Sequence, residues 1–238
     1  MLVAAAVCPC PPLLVPEVAA GAAPELDAVR DACAEAVGVL AAARPGLLVV
    51  VGPAGPSGRG PHAEGVTGSF RGFGVDLGVR LGRDPGGAAP DSLPPSLAVG
   101  AWLLSRARWE GVPVEGLGVE ETLETGRCVA AGRDLAARAD RVALLVMGDG
   151  SACRTLKAPG YLDERAEAFD AAAARALGAA DPEALIALDA ALAHELKAAG
   201  RAPWQVLAGA AQGAAGPTGR LLCEEAPYGV GYLVAAWS

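Results

Sequence analysis

Four short segments carry the side chains able to do chemistry. These are Cys8-Pro9-Cys10-Pro11-Pro12, the Gly/Pro-rich stretch around His62, Gly148-Asp149-Gly150-Ser151, and Cys223-Glu224-Glu225. The Cys8/Cys10 spacing lets two thiolates share a soft metal, although a lone C-x-C pair is a far weaker signal than two paired CxxC motifs. A reactive thiol, or one core cysteine beside one idle loop cysteine, fits the same residues. Asp149, between two glycines after an apolar run, can hold a metal, bind a substrate hydroxyl or close its own loop as an Asx-turn. The backbone amides of that string, with Ser151 beside them, can also cradle an anion, although the spacing is neither a Walker nor a Rossmann motif. Arg154 and Lys157 follow as positive charges for an acidic ligand, or as solvated surface residues.

Glu224 and Glu225 close an apolar run, where desolvation raises a carboxyl pKa toward general-base territory. An ion pair with Arg220 is the other reading, and strand alternation leaves open which glutamate faces inward. The chain has two histidines. His62 is free to reach a pocket, whereas His194-Glu195 lies in a helical pattern without the x-x-His that a zinc-protease helix requires. An imidazole-rich metal centre is therefore not assembled from this sequence.

These residues need a scaffold, and bulk properties limit its kind. The 238 residues suit a single domain spanning 1–238. The net charge of −8 argues against nucleic-acid binding. Alanine supplies much of the hydrophobic content, and no run approaches the roughly 18 apolar residues of a membrane span. The amino terminus lacks a basic signal-peptide region, and six scattered cysteines are expected as free thiols, so a cytoplasmic location is expected.

The apolar pattern predicts a first strand over Leu2–Val7, a helix from Pro24 to about Ala43 and a second strand over Leu47–Val51, making one βαβ unit. Gly52 to Gly65 reads as a loop, and Val66 to Leu81 as irregular strands or an edge hairpin. Arg83 to Pro95 reads as a connection that is either a lid or disordered. Helices are expected over Leu97–Trp109, Glu124–Ala139 and Tyr161–Leu177, then at Asp181, from Asp189 to Ala198, and over Trp204–Gln212. Strands are expected over Val112–Val119 and Val142–Met147, and over the closing Leu221–Glu225 and Gly231–Trp237 runs. The fold class is α/β, a three-layer sandwich around a mostly parallel or mixed sheet, with ligands beyond the carboxyl ends of the strands.

The N-terminal strand ending in C-P-x-P-P-L, the strand ending in M-G-D-G-S-A, the P-G-Y…F-D helix and the A-P-Y-G-V-G-Y run together resemble the class III extradiol ring-cleavage dioxygenases. The likeness is to the catalytic beta subunit of protocatechuate 4,5-dioxygenase and to Memo-like proteins, over nearly the whole chain. The resemblance implies Fe(II) held by two histidines and a glutamate, with another histidine as acid/base, opening catechol-type rings with O2. It also implies a dimer, or pairing with a small alpha subunit, for which Trp102, Trp109, Phe70 and Phe73 are candidate contacts.

Carried over by position, the first ligand histidine falls at Cys10 and the second near Gly52-Pro53-Ala54. The Ser-His pair falls at Ser151-Ala152 and the glutamate at Glu224 or Glu225. A facial triad needs two neutral nitrogens and a carboxylate. The expectation is thus a divergent, non-canonical or catalytically inactive homologue with a cleft for an unknown small molecule or partner, a small aromatic or acidic molecule being the candidate ligand. Asp149, Ser151 and Glu224 are its candidate catalytic residues, and Cys10, Asp149, Lys157 and Tyr228 its ligand contacts. The alternative is a retained non-haem ring-opening oxidoreductase, or a Cys/Glu metal site of other chemistry, with Cys10, His62 and Glu224 as ligands.

Overall fold

Fully apolar runs rather than alternating ones mark strands buried on both faces, and the centre of the sheet is built from three of them. β1 (Leu2–Cys8), β2 (Leu47–Pro53) and β7 (Val142–Met147) pair in parallel with β7 in the middle. The computed structural model describes residues 1–84, 86, 93–213 and 216–238. Most of the expected 83–95 connection therefore lies outside the described residues.

The full sheet has seven strands in the order β3-β6-β2-β7-β1-β9-β8. β6 (Val114–Val119) extends the parallel core, and the short β3 (Gly60–His62) closes that edge antiparallel to it. On the other side β9 (Tyr232–Trp237) pairs antiparallel with β1, and β8 (Gly219–Glu225) forms the outer edge. The last strand thus returns beside the first. β4 (Thr67–Ser69) and β5 (Gly78–Arg80) form a separate two-stranded ribbon where irregular strands or a hairpin were expected.

Successive side chains enter opposite layers. Leu144 and Val146 face one core cluster, and Leu145 and Met147 the other. The second layer holds α1 (Pro16–Ala19), α2 (Asp27–Ala42) and α3 (Pro95–Arg106). The third holds α4 (Thr125–Ala136), α5 (Arg165–Ala179), α6 (Pro182–Ile186), α7 (Ala190–Glu195) and α8 (Arg201–Ala211). This is a three-layer α/β sandwich around a mixed, mostly parallel sheet.

Helix limits differ from the sequence pattern for local reasons. Residues 20–26 before α2 take a 3-10 form with Pro24 inside, so the α-helix starts at Asp27 rather than Pro24. Tyr161 adopts a left-handed φ of 64°, which delays α5 to Arg165. Asp181 and Asp189 do cap α6 and α7, accepting from Ala184 N and from Ala191 and Leu192 N respectively. Among the described residues no helix is long and apolar enough to cross a membrane.

Candidate functional site

Beyond the carboxyl ends of β1 and β7 the chain turns at Cys10 and Asp149. The Cys10 amide donates to Asp149 Oδ1 at 2.8 Å, joining two loops that are 139 residues apart. The Asp149 loop is fixed by close backbone packing. A β-carbon at Gly148 would sit 2.5 Å from Gly200 Cα, and one at Gly150 would sit 2.7 Å from Asp170 Oδ1, so both places need glycine. Gly200 N in turn donates to Asp149 O, and Gly150 N to Gly231 O.

Asp170 underlies this turn. Only 1% exposed, it accepts from Ser151 N and Oγ, each at 2.7 Å, and from Arg154 Nη1 at 3.2 Å. Burial raises its pKa even against these donors. Ser151, fully buried, is thus spent on holding the loop to α5. Arg154 is likewise engaged with Asp170.

Asp149 keeps one side open to solvent, yet desolvation lifts its carboxyl to about 7. The Cys10 amide opposes that shift and the charge of Glu121, from the loop after β6, adds to it. Burial, then Asp149 and Glu121, push the Cys10 thiol well above its ordinary range. Cys10 therefore stays a protonated thiol near neutrality and is neither nucleophile nor ready ligand. Extending the β1–β9 register past Val7↔Ala235 sets Tyr232 level with Cys10. Tyr232 is buried, and its hydroxyl pKa is raised by desolvation and then by Asp149.

His62 lies well apart. It pairs with Gly116, which through Val50 and Leu145 is level with Ala6. It is four strands from β1, ~19 Å across the sheet and short of the strand ends. Its Nε2 donates to Gly58 O at 2.9 Å. His194 is exposed on α7. Glu224 and Glu225 are exposed on edge strand β8, outside β9. Glu225 pairs with Tyr232 and shares its face, and Glu224 pairs with Leu233 on the other. Arg220 pairs with Glu35 instead of either glutamate. Exposed Lys157 and half-buried Tyr228 line a surface depression of about 520 Å³ with Thr155, Leu156 and Pro227. The Tyr228 hydroxyl donates to Glu25 at 3.0 Å.

Iron does not fit these residues. At Gly52 a β-carbon would come 2.7 Å from Ser96 Oγ and 3.2 Å from Met147 Cβ, so no imidazole can be carried there without displacing α3. Ala54 and Ala152 offer no donor side chain, and Cys10 holds its proton. Among the described residues no three His, Cys, Asp or Glu side chains gather as a metal-binding group. Phe70 and Trp102 are core residues, at 0% and 5% exposure, so they cannot be the exposed contacts considered from sequence.

Sequence reasoning missed Asp170, Glu121 and Tyr232. Asp170 and Tyr232 stood inside the P-G-Y…F-D and A-P-Y-G-V-G-Y strings, where an acid in an apolar helical stripe and a tyrosine opening an apolar run were the available signals. Glu121 carried none.

No known protein family matches the chain by sequence, and no curated protein does. Eighteen solved chains match it in structure. One is the crystal structure of uncharacterized protein JW3007 from Escherichia coli K12. It is 15% identical, with a TM-score of 0.59 over 99% of this chain and 100% of that one. That likeness concerns the fold alone.

Proposed function

We propose that this chain is a divergent relative of the class III extradiol dioxygenases that has lost ring-opening chemistry and binds a small aromatic or acidic molecule at the carboxyl ends of β1 and β7. One observation carries the reading. Asp149 is a solvent-reaching carboxyl poised near pH 7, gripped by the Cys10 backbone amide and flanked by Cys10 and Tyr232.

Such a group donates a hydrogen bond to a ligand carboxylate when protonated and accepts one from a phenol when ionised. Ser151 and Asp170 act behind it as positioning residues. The donor-poor surroundings of Gly52, Ala54 and Ala152 support loss of the iron site. Six free cysteines support a reducing, cytoplasmic setting. A homodimer belongs to the same reading, and sedimentation at twice the chain mass would support it.

The test is calorimetric titration of 3,4-dihydroxybenzoate into anaerobically purified protein of measured metal content. Binding by protein with no stoichiometric metal is expected, and Asp149→Asn should alter its pH dependence near 7. Stoichiometric iron together with O2 consumption on catechols would overturn the proposal.

A further inference from the structure

At the other end of the molecule, α2 and α3 lie on one face of the sheet with a groove of about 750 Å³ between them. That volume is within the roughly 300–1,000 Å³ of small-molecule sites. One wall is Ala34, Gly38 and Ala41, exposed on successive turns of α2. A β-carbon at Gly38 would meet nothing within 4 Å, so the wall faces open space. The opposite wall is the small exposed edge, 5% each, of Trp102 and Leu103 of α3, with half-buried Trp109 just beyond it.

The polar end lies where both helices finish. Arg44 and Arg108 leave their helices in left-handed conformations, φ 47° and 51°, and both line the groove. Arg106 lies 5.2 Å from the Trp102 ring centre. Among the described residues none of these three arginines forms an ion pair, in a chain of net charge −8.

Neutralising the helix ends does not account for Arg44. Arg141 already donates just past the end of α2, to Ala43 O and Arg44 O, so another guanidinium serves this helix end. Trp109 Nε1, shielded from solvent, has no acceptor among the described residues. Glu110 is the acid at this end, while Asp27 and Asp31 line the far end, where Arg30 holds Asp27.

We propose that the groove binds an amphipathic carboxylate. Its apolar body lies between the small-residue wall of α2 and the tryptophans, and its carboxylate meets Arg44 and Arg108. Guanidinium forks match the two carboxylate oxygens.

Trp102 and Trp109 report on the groove directly, so the experiment is fluorescence titration of the full chain with decanoate, below its micellar concentration, and with decyltrimethylammonium. Decanoate should change the emission saturably and bind at least tenfold tighter than the ammonium. Arg44→Ala with Arg108→Ala should weaken it at least tenfold. Gly38→Leu, which fills open space without touching the core, should abolish it while circular dichroism stays native. Equal binding of both amphiphiles, no response to decanoate, or binding indifferent to Gly38→Leu would overturn the proposal. So would a dimer that Gly38→Leu dissolves with no decanoate response, which assigns the groove to a second copy.

Discussion

Asp149 is a residue whose environment works against its charge. Its pKa rises from 3.8 to about 7 on folding, so between those values the folded chain holds a proton that the unfolded chain releases. The resulting stabilisation is full below about pH 4 and is lost as pH rises through 7. Because Asp149 reaches solvent, screening reduces the effect to about 1–3 kcal/mol. Asp149→Asn keeps an oxygen for the Cys10 amide and removes the charge. It should gain that much stability at pH 8 and flatten the profile between pH 4 and 7, as chemical denaturation across pH would show. An unchanged profile would mean that the carboxyl is solvated like any surface aspartate. The stability given up at neutral pH is what a binding or acid-base role for this residue would demand.

At the scale of elements, the turn after β7 depends on α5 and on the start of β9. Asp170 binds Ser151 through two hydrogen bonds and pairs with Arg154 while itself 1% exposed. Asp170→Ala strands a buried amide and hydroxyl and a partly buried guanidinium, so a loss of about 3 kcal/mol is expected in urea unfolding. The loop amides of residues 149–151 should also exchange faster. A loss below about 1 kcal/mol would show that the turn holds its own shape.

α4 and α8 cross where glycines let their backbones meet. A β-carbon at Gly132 would lie 2.0 Å from Val206 O, and one at Gly209 would lie 2.2 Å from Val129 O. Gly132→Ala must separate the helices and should cost about 2–3 kcal/mol, although alanine is the better helix former. A melting temperature at or above that of the parent would contradict this crossing.

For the whole molecule, the sandwich was readable because its strands are uniformly apolar and its helices carry clear punctuation. Val142–Met147 emerged with the expected limits, and Asp181 and Asp189 cap as their residue types suggested. The site was less legible for a physical reason. Asp149 owes its character to burial, the Cys10 amide and Glu121, and it in turn raises Tyr232; these groups meet only because β1, β6, β7 and β9 share one sheet. Strand order likewise separates His62 from Cys10, although both follow apolar runs that looked alike in sequence. Edge placement leaves Glu224 and Glu225 exposed where a central strand would have buried them.

In the proposed function Asp149, not a metal ion, anchors the cleft. Its most direct test compares 3,4-dihydroxybenzoate binding to metal-stripped protein, to the same protein reloaded with Fe(II), and to Asp149→Asn, all under anaerobic conditions. Equal affinity with and without Fe(II) and at least a tenfold loss in Asp149→Asn are expected. Binding that appears only with Fe(II), and that ignores the asparagine substitution, would contradict that role for Asp149.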